Sequence, residues 1–552
     1  MVIEVRPTSQ VVPRCTLCPA VCELGLTRTG PDGWRTEYPL SEDRCICPRG
    51  SAIGDLVAHS RRILSPRCRT EGRWHSVSPA EALDRIVSRS RGGVTILLDG
   101  NLPCEEIAAV AAWCQAWKAP QLCLVIEPAD EALLLGTEAS GAEYLPSSSL
   151  ADCDAFLVIG GALGANPVCA RAILDRRKKE PNTPWVVIDP GAGVAAKFAT
   201  HRVDCPVGGE LSSVLAVAGA AGVDVRALGW SSVPQTASAT AAGKALAGCK
   251  KLAVLLAAEH GRTSLWREIG FLAGTLAKTL GGGVAVQTAG ANALAAVRMA
   301  SALGTVPLAQ ALSDGPAMRV AVGCDVLGML GWAEEGTVQA AAAPLPNRTT
   351  ELAEVVLPLA LAAEIKGTYL VDGSERIQTW PLLSPPPGVL TPAGLVEQLA
   401  RRARVTTLRP SPQPDLSARV AVKPELSPSA VEDPPTRALL LGRQASHAGS
   451  GALTGYGAWQ AAACGEPDVQ LSIEEARRMG LKDHQPVVVQ VGGRSVRARV
   501  RLASELTGGT AVLSEGFAQT RALMPARFDR SGELVPARPV EFTIGGEPSA
   551  SK

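Results

Sequence analysis

Aromatic residues make up only 4% of this 552-residue chain, so its cores must be filled chiefly by Ala, Val and Leu, which suits close helix–sheet packing. An excess of one charge is also missing. With 54 Lys and Arg against 53 Asp and Glu, the formal net charge is +1, which leaves no electrostatic footprint for nucleic acid or an anionic membrane surface. No uninterrupted apolar run approaches the ~20 residues needed to cross a bilayer, so any link to a membrane would run through a partner subunit. Neither an apolar, positively flanked leader nor a twin-arginine pair precedes Cys15, and the expected compartment is a reducing cytoplasm. The six histidines form no local acid–base motif.

Cysteine, by contrast, is plentiful at 15 residues. Four of them, Cys15, Cys18, Cys22 and Cys47, follow the spacing Cys-x2-Cys-x3-Cys-x24-Cys, and the last opens the run Cys47-Pro48-Arg49-Gly50. Three thiolates from one short loop and a fourth returning after a Gly- and Thr-containing excursion suit a cubane 4Fe-4S cluster. Zinc also accepts four thiolates, but its usual frameworks pair two Cys-x2-Cys knuckles. Cys45 is an alternative fourth ligand; the Pro-Arg-Gly context favours Cys47. Most of the remaining cysteines, such as Cys153, Cys169, Cys249 and Cys324, sit in Ala/Val/Leu-rich surroundings and read as small buried hydrophobes.

The length implies about three or four domains. The pattern predicts an α/β protein with a cluster domain over residues 1–62 and α/β domains over 63–250 and 251–404. A linker over 405–435 and a β-rich tail over 436–545 follow. Ser78-Pro79-Ala80-Glu81 has the form of a helix start, with Ser78 as N-cap and Glu81 in the capping-box slot. The clearest unit lies between residues 152 and 206. There the apolar strand Ala155–Ile159 runs into Gly160-Gly161 and on to Asn166-Pro167, and a second strand, Trp185–Ile188, ends in Asp189-Pro190-Gly191. A glycine-rich turn between a strand and a helix is where α/β sheets receive phosphate, and the acid ending the next strand could accept hydrogen bonds from a ribose or base. In the tail, short strands separated by Gly-Gly turns predict a small β-barrel or sandwich.

The cysteine head, Leu64-Ser65-Pro66 and Val77 to Leu83 together resemble the molybdopterin oxidoreductase family, the group around formate dehydrogenase and dimethyl sulfoxide reductase. Pro206-Val207-Gly208-Gly209-Glu210 is similar to that family's Pro-Gly-Thr-Asp loop. Glu354-Val355-Val356-Leu357-Pro358, Glu364, Gly367-Thr368 and Glu375 to Gln378 follow in the family's order, and the tail around Ser472 to Asp483 is similar to its pterin-dinucleotide-binding barrel. The resemblance implies a multidomain architecture with a small iron–sulfur domain, Rossmann-like α/β domains and a C-terminal barrel. It also implies molybdenum or tungsten held by two pterin guanine dinucleotides. On that reading Arg49 bridges cluster and pterin; Gly160, Asn166, Asp189, Gly208 and Gly209 bind cofactor, as do Arg443, Ser446 and His447 in the tail. Asp189-Pro190-Gly191 lacks the arginine of the family's Asp-Pro-Arg. Cys123 is the nearest candidate for a catalytic metal ligand, with Cys104 and Cys114 behind it, and no histidine follows Cys123 as in formate dehydrogenases.

Two functions fit this resemblance. One is an oxidoreductase acting on a small, one-carbon formyl- or formate-type substrate, in layout similar to the formylmethanofuran dehydrogenase catalytic subunit. The other is a non-catalytic electron-transfer subunit similar to the large iron–sulfur subunit of NADH-quinone oxidoreductase. The retained tail favours the first. Both would work with electron-transfer partner subunits.

Overall fold

A computed structural model describes residues 12–30, 33–38, 47–118, 120–191, 193–230, 235–313, 318–371, 375–408, 415–420, 437–506, 508–529 and 532–546. Cys45 and most of the expected linker, residues 409–414 and 421–435, lie outside them.

Two parallel sheets form the middle of the protein. The first has six strands in the order His201–Arg202, Trp185–Ile188, Ala155–Ile159, Leu252–Leu256, Gly283–Val286 and Glu143–Tyr144. Its two central strands are buried along their whole length, which is why they read as unbroken apolar runs rather than alternating ones. The second sheet has seven strands. Val355–Pro358, Ala340–Ala343, Met318–Val322, Val94–Asp99 and Pro120–Val125 run parallel, and the hairpin Arg67–Thr70/Arg73–Ser76 adds an antiparallel edge. The chain thus leaves the seven-stranded sheet after Val125, builds the six-stranded one, and returns at Met318. Residue 250, the expected boundary between the α/β domains, lies inside the stretch that builds the six-stranded sheet.

The helix start expected at Ser78 is present. Ser78 accepts a hydrogen bond from the Glu81 N–H and opens the helix Pro79–Arg89, and Cys104–Trp117 and Pro392–Arg402 are helical. Short polar segments tie the body together. Arg298 donates to the Leu416 carbonyl at 2.7 Å and Val420 N–H to Glu138 Oε2 at 3.0 Å, so the described part of the 405–435 segment runs across the six-stranded domain.

The tail is a six-stranded sheet ordered Ala438–Gly442, Thr510–Ser514, Asp468–Leu471, Arg494–Leu502, Pro486–Val491 and Thr543–Gly546. A bridge between Leu439 and Val540 joins its first strand to the segment leading into its last, which closes the sheet into a barrel. In the head, the hairpin Gly25–Arg28/Trp34–Glu37 packs on the helix Pro48–Val57. Two ties hold this head to the body. The strand Val12–Pro13 pairs with Thr379–Trp380, and the buried Arg62 and Glu364 form two hydrogen bonds of 2.9 Å.

Candidate redox site

Cys15, Cys18 and Cys47 are each less than 9% exposed, and Cys22 is half-buried. Their loop is folded back on itself: Cys15 N–H donates to the Cys22 carbonyl at 2.8 Å and Val21 N–H to the Cys18 carbonyl at 3.2 Å. Val21 sits at φ +39°, a strained backbone for a β-branched residue and one that sequence spacing does not signal. Burial, then the neighbouring Cys18, Cys22 and Cys47, push the Cys15 thiol well above its ordinary range. Among the described residues no group of three or more His, Cys, Asp or Glu side chains forms a ready-made metal cage. The donor set itself, four soft and largely buried thiols, fits an iron–sulfur cluster.

Arg49 is 4% exposed in the first turn of the helix that Cys47 precedes. Burial would weaken its guanidinium, but the neighbouring Cys18 and Cys47 outweigh this and hold its pKa above the ordinary value. Its other end donates to the Ala165 carbonyl, in the glycine-rich turn after Ala155–Ile159. Arg49 thus spans from the thiols to the strand ends of the six-stranded sheet.

At those strand ends lies a crevice of about 390 Å³, closed by the tail barrel. Gly161, Asp189, Arg262, Arg443 and Arg501 are among its walls. Gly160 is at φ +69°, and a Cβ there would lie 2.5 Å from the Ala257 carbonyl oxygen. Asp189 accepts from Gly191 N–H and Gly193 N–H, each at 2.8 Å, and from Arg262 Nη1 at 2.9 Å. A Cβ on Gly191 would meet the Arg262 guanidinium at 2.5 Å. Arg262, from beyond the strand Leu252–Leu256, thus lies against Asp189, and the glycine at 191 makes room for it. Glu259 is a further site residue that the sequence does not reveal. It follows directly on Leu252–Leu256, and its carboxylate accepts from Gly161 N–H at 3.1 Å, Arg443 N–H at 2.9 Å and Arg262 at 3.1 Å. It occupies the anion position that the glycine turn offers.

A second crevice, of about 590 Å³, lies at the strand ends of the seven-stranded sheet and is again roofed by the tail. Asp325, Asn347, His447, Cys464 and Phe517 are among its walls. Asp325 follows Met318–Val322 after Gly323 and Cys324, whereas Asp189 follows Trp185–Ile188 directly; an acid just past a strand end is the legible signal for this site. Its carboxylate is held by Thr349 N–H at 2.8 Å and Gly328 N–H at 3.3 Å. His447 is buried against the Phe517 ring, with Nδ1 3.2 Å from Thr454 Oγ1, and burial lowers its pKa. Ser446 donates to Gln444 at 3.2 Å.

Between the crevices the described residues are closely packed. Among the described residues a void of about 10 Å³ lies there, sharing Arg443 and Gln444 with one crevice and His447 with the other, and touching Arg49. That is room for about one water. Around it, Arg443 pairs with Asp130 at 2.8 Å, and the fully buried Arg521 pairs with Glu127 at 2.8 Å and with Glu515. His260 Nε2 donates to the Met524 carbonyl at 2.6 Å, with Nδ1 3.6 Å from Glu127. The outer crevices suit nucleotide-sized groups, but the middle does not fit the metal and paired pterins that would have to meet there.

The other expected site residues lie elsewhere. Cys123 is fully buried on Pro120–Val125, the edge strand of the seven-stranded sheet, in one apolar cluster with Leu97, Ala321 and Ala341, and burial pushes its thiol far up; these are the surroundings of an inert thiol. Asn166 caps the helix Pro167–Lys179 and donates its amide to Gln287 at 2.8 Å, so both faces are used within the protein. Gly208 and Gly209 turn the chain into the helix Glu210–Ala220, beside the Val207 contact with the tail. No helix among the described residues is long and apolar enough to cross a membrane.

No protein-family model matches the chain, and no curated protein matches its sequence. Among solved structures, acetylene hydratase from Pelobacter acetylenicus is similar, with a TM-score of 0.71 at 12% identity over 97% of this chain and 99% of that one. The likeness is one of fold, and it takes in head, both sheets and tail alike.

Proposed function

We propose that the chain is an iron–sulfur redox protein of the molybdopterin oxidoreductase superfamily, with a 4Fe-4S cluster on Cys15, Cys18, Cys22 and Cys47 that passes single electrons to or from a partner subunit in the cytoplasm. The carrying observation is the buried Arg49, set in the first turn of the helix that Cys47 precedes and hydrogen-bonded to the Ala165 carbonyl of the six-stranded domain. Its positive charge would favour the reduced cluster and mark the direction of electron passage. The fold likeness to an enzyme over nearly the whole chain supports the superfamily.

Within that reading, an oxidoreductase would hold molybdenum or tungsten on two pterin dinucleotides and act on a small one-carbon substrate. The tail barrel and the two paired crevices support it. An electron-transfer subunit similar to the large iron–sulfur subunit of NADH-quinone oxidoreductase needs the cluster alone, and the filled middle favours it. Protein purified without oxygen should carry about four irons and four acid-labile sulfides per chain. Cys18→Ser should remove the visible absorption of the cluster, while Cys249→Ser, outside the head, should leave it. Stoichiometric zinc without sulfide would overturn the proposal.

A further inference from the structure

The wall between the crevices is built of charges that satisfy one another. Arg521 serves Glu127 and Glu515, Arg443 serves Asp130, and Arg262 serves Asp189 and Glu259. All eight side chains are buried or nearly so, and Arg443 and Arg521 come from the tail while their partners Asp130 and Glu127 come from the body. A pterin dinucleotide entering here would bring further negative charge against five carboxylates. It would also strip guanidinium partners from some of them, and an uncompensated buried charge is strongly disfavoured. The glycine N–H group that a phosphate would use is taken by Glu259, and a Cβ on Gly161 would already lie 2.8 Å from that carboxylate.

We infer that this ionic wall replaces the metal–pterin centre, so that the chain folds without molybdenum, tungsten or pterin dinucleotide and its redox chemistry is confined to the cluster. The inference deepens the reading above and rests on its fold, not on the presence of iron. The test is an anaerobic preparation from a host that makes the guanine dinucleotide cofactor, with one of the host's own molybdopterin enzymes as loading control. Iron, sulfide, molybdenum, tungsten and acid-released guanine nucleotide are measured on the same sample. The expected result is iron and sulfide with neither molybdenum nor tungsten and no guanine. A sample lacking iron as well would sink the cluster reading while still supporting the wall. Molybdenum or tungsten near one per chain, with guanine, would overturn it. The second readout is the melting temperature of protein from cells with and without the cofactor pathway. It should be unchanged, whereas a lower value without the pathway would show that a bound cofactor stabilises the fold.

Discussion

Arg49 carries the most chemistry of any single residue outside the cysteines, because its charge is buried beside the thiols. Removing it should make the cluster harder to reduce. With an intermediate effective dielectric, the Arg49→Ala variant should lower the midpoint potential by on the order of 50 mV, and Arg49→Lys should recover most of that. A redox titration followed by electron paramagnetic resonance would read the shift; an unchanged potential would leave Arg49 only its structural bond to Ala165. At this scale the sequence was informative unevenly. The four cysteines stand out because the proposed cluster ligation would fix both residue type and spacing. Arg262 and Glu259 do not, since they follow Asp189 by many residues and meet it only once parallel strands bring their ends together. Cys123 shows the converse: a cysteine at a plausible distance in sequence, flanked by Leu122 and Leu124, lies in an apolar cluster of its sheet.

Elements were legible where apolar runs were long and bounded, as in Ala155–Ile159, Leu252–Leu256 and Cys104–Trp117. Ala340–Ala343 was not, because four alanines carry no periodicity and little β-propensity. It is a strand because Met318–Val322 and Val355–Pro358 pair with it on either side. Helix packing shows the same dependence on context. The helices Pro128–Ser140 and Trp266–Thr279 approach through glycines: a Cβ on Gly136 would lie 1.9 Å from the Arg267 carbonyl oxygen, and one on Gly270 would lie 2.4 Å from that of Leu133. Backbone cannot yield as a side chain end can. Gly136→Ala should therefore destabilise the protein by about 1–3 kcal/mol in urea unfolding, the usual cost of overpacking. Gly92→Ala, with nothing within 4 Å, is the control and should be close to neutral.

For the whole molecule, the tail is docked on the body by buried ion pairs, and this makes its attachment sensitive to acid. Burial would push the Glu127 carboxyl up, but Arg521 and His260 outweigh it and hold the pKa down at about 2, from an ordinary 4.5. A carboxylate whose folded pKa is depressed contributes stability above its unfolded pKa and loses it as pH falls through the folded one. The window is therefore about pH 4.5 down to 2, and the contribution at neutral pH is about 3 kcal/mol. Asp130 works the other way: burial raises it to about 6 despite Arg443, so its share is present below about pH 3.8 and lost as pH climbs through 6. Glu127→Gln should flatten the acid limb of the stability curve below pH 4.5 while destabilising the protein at neutral pH. Asp130→Asn should keep that limb and remove part of the loss between pH 4 and 6. Urea unfolding across pH 2 to 8 on the three proteins, followed by circular dichroism, checks both signs. A Glu127→Gln acid limb as steep as the parent's would mean that the Glu127–Arg521 pair does not govern how the tail is held.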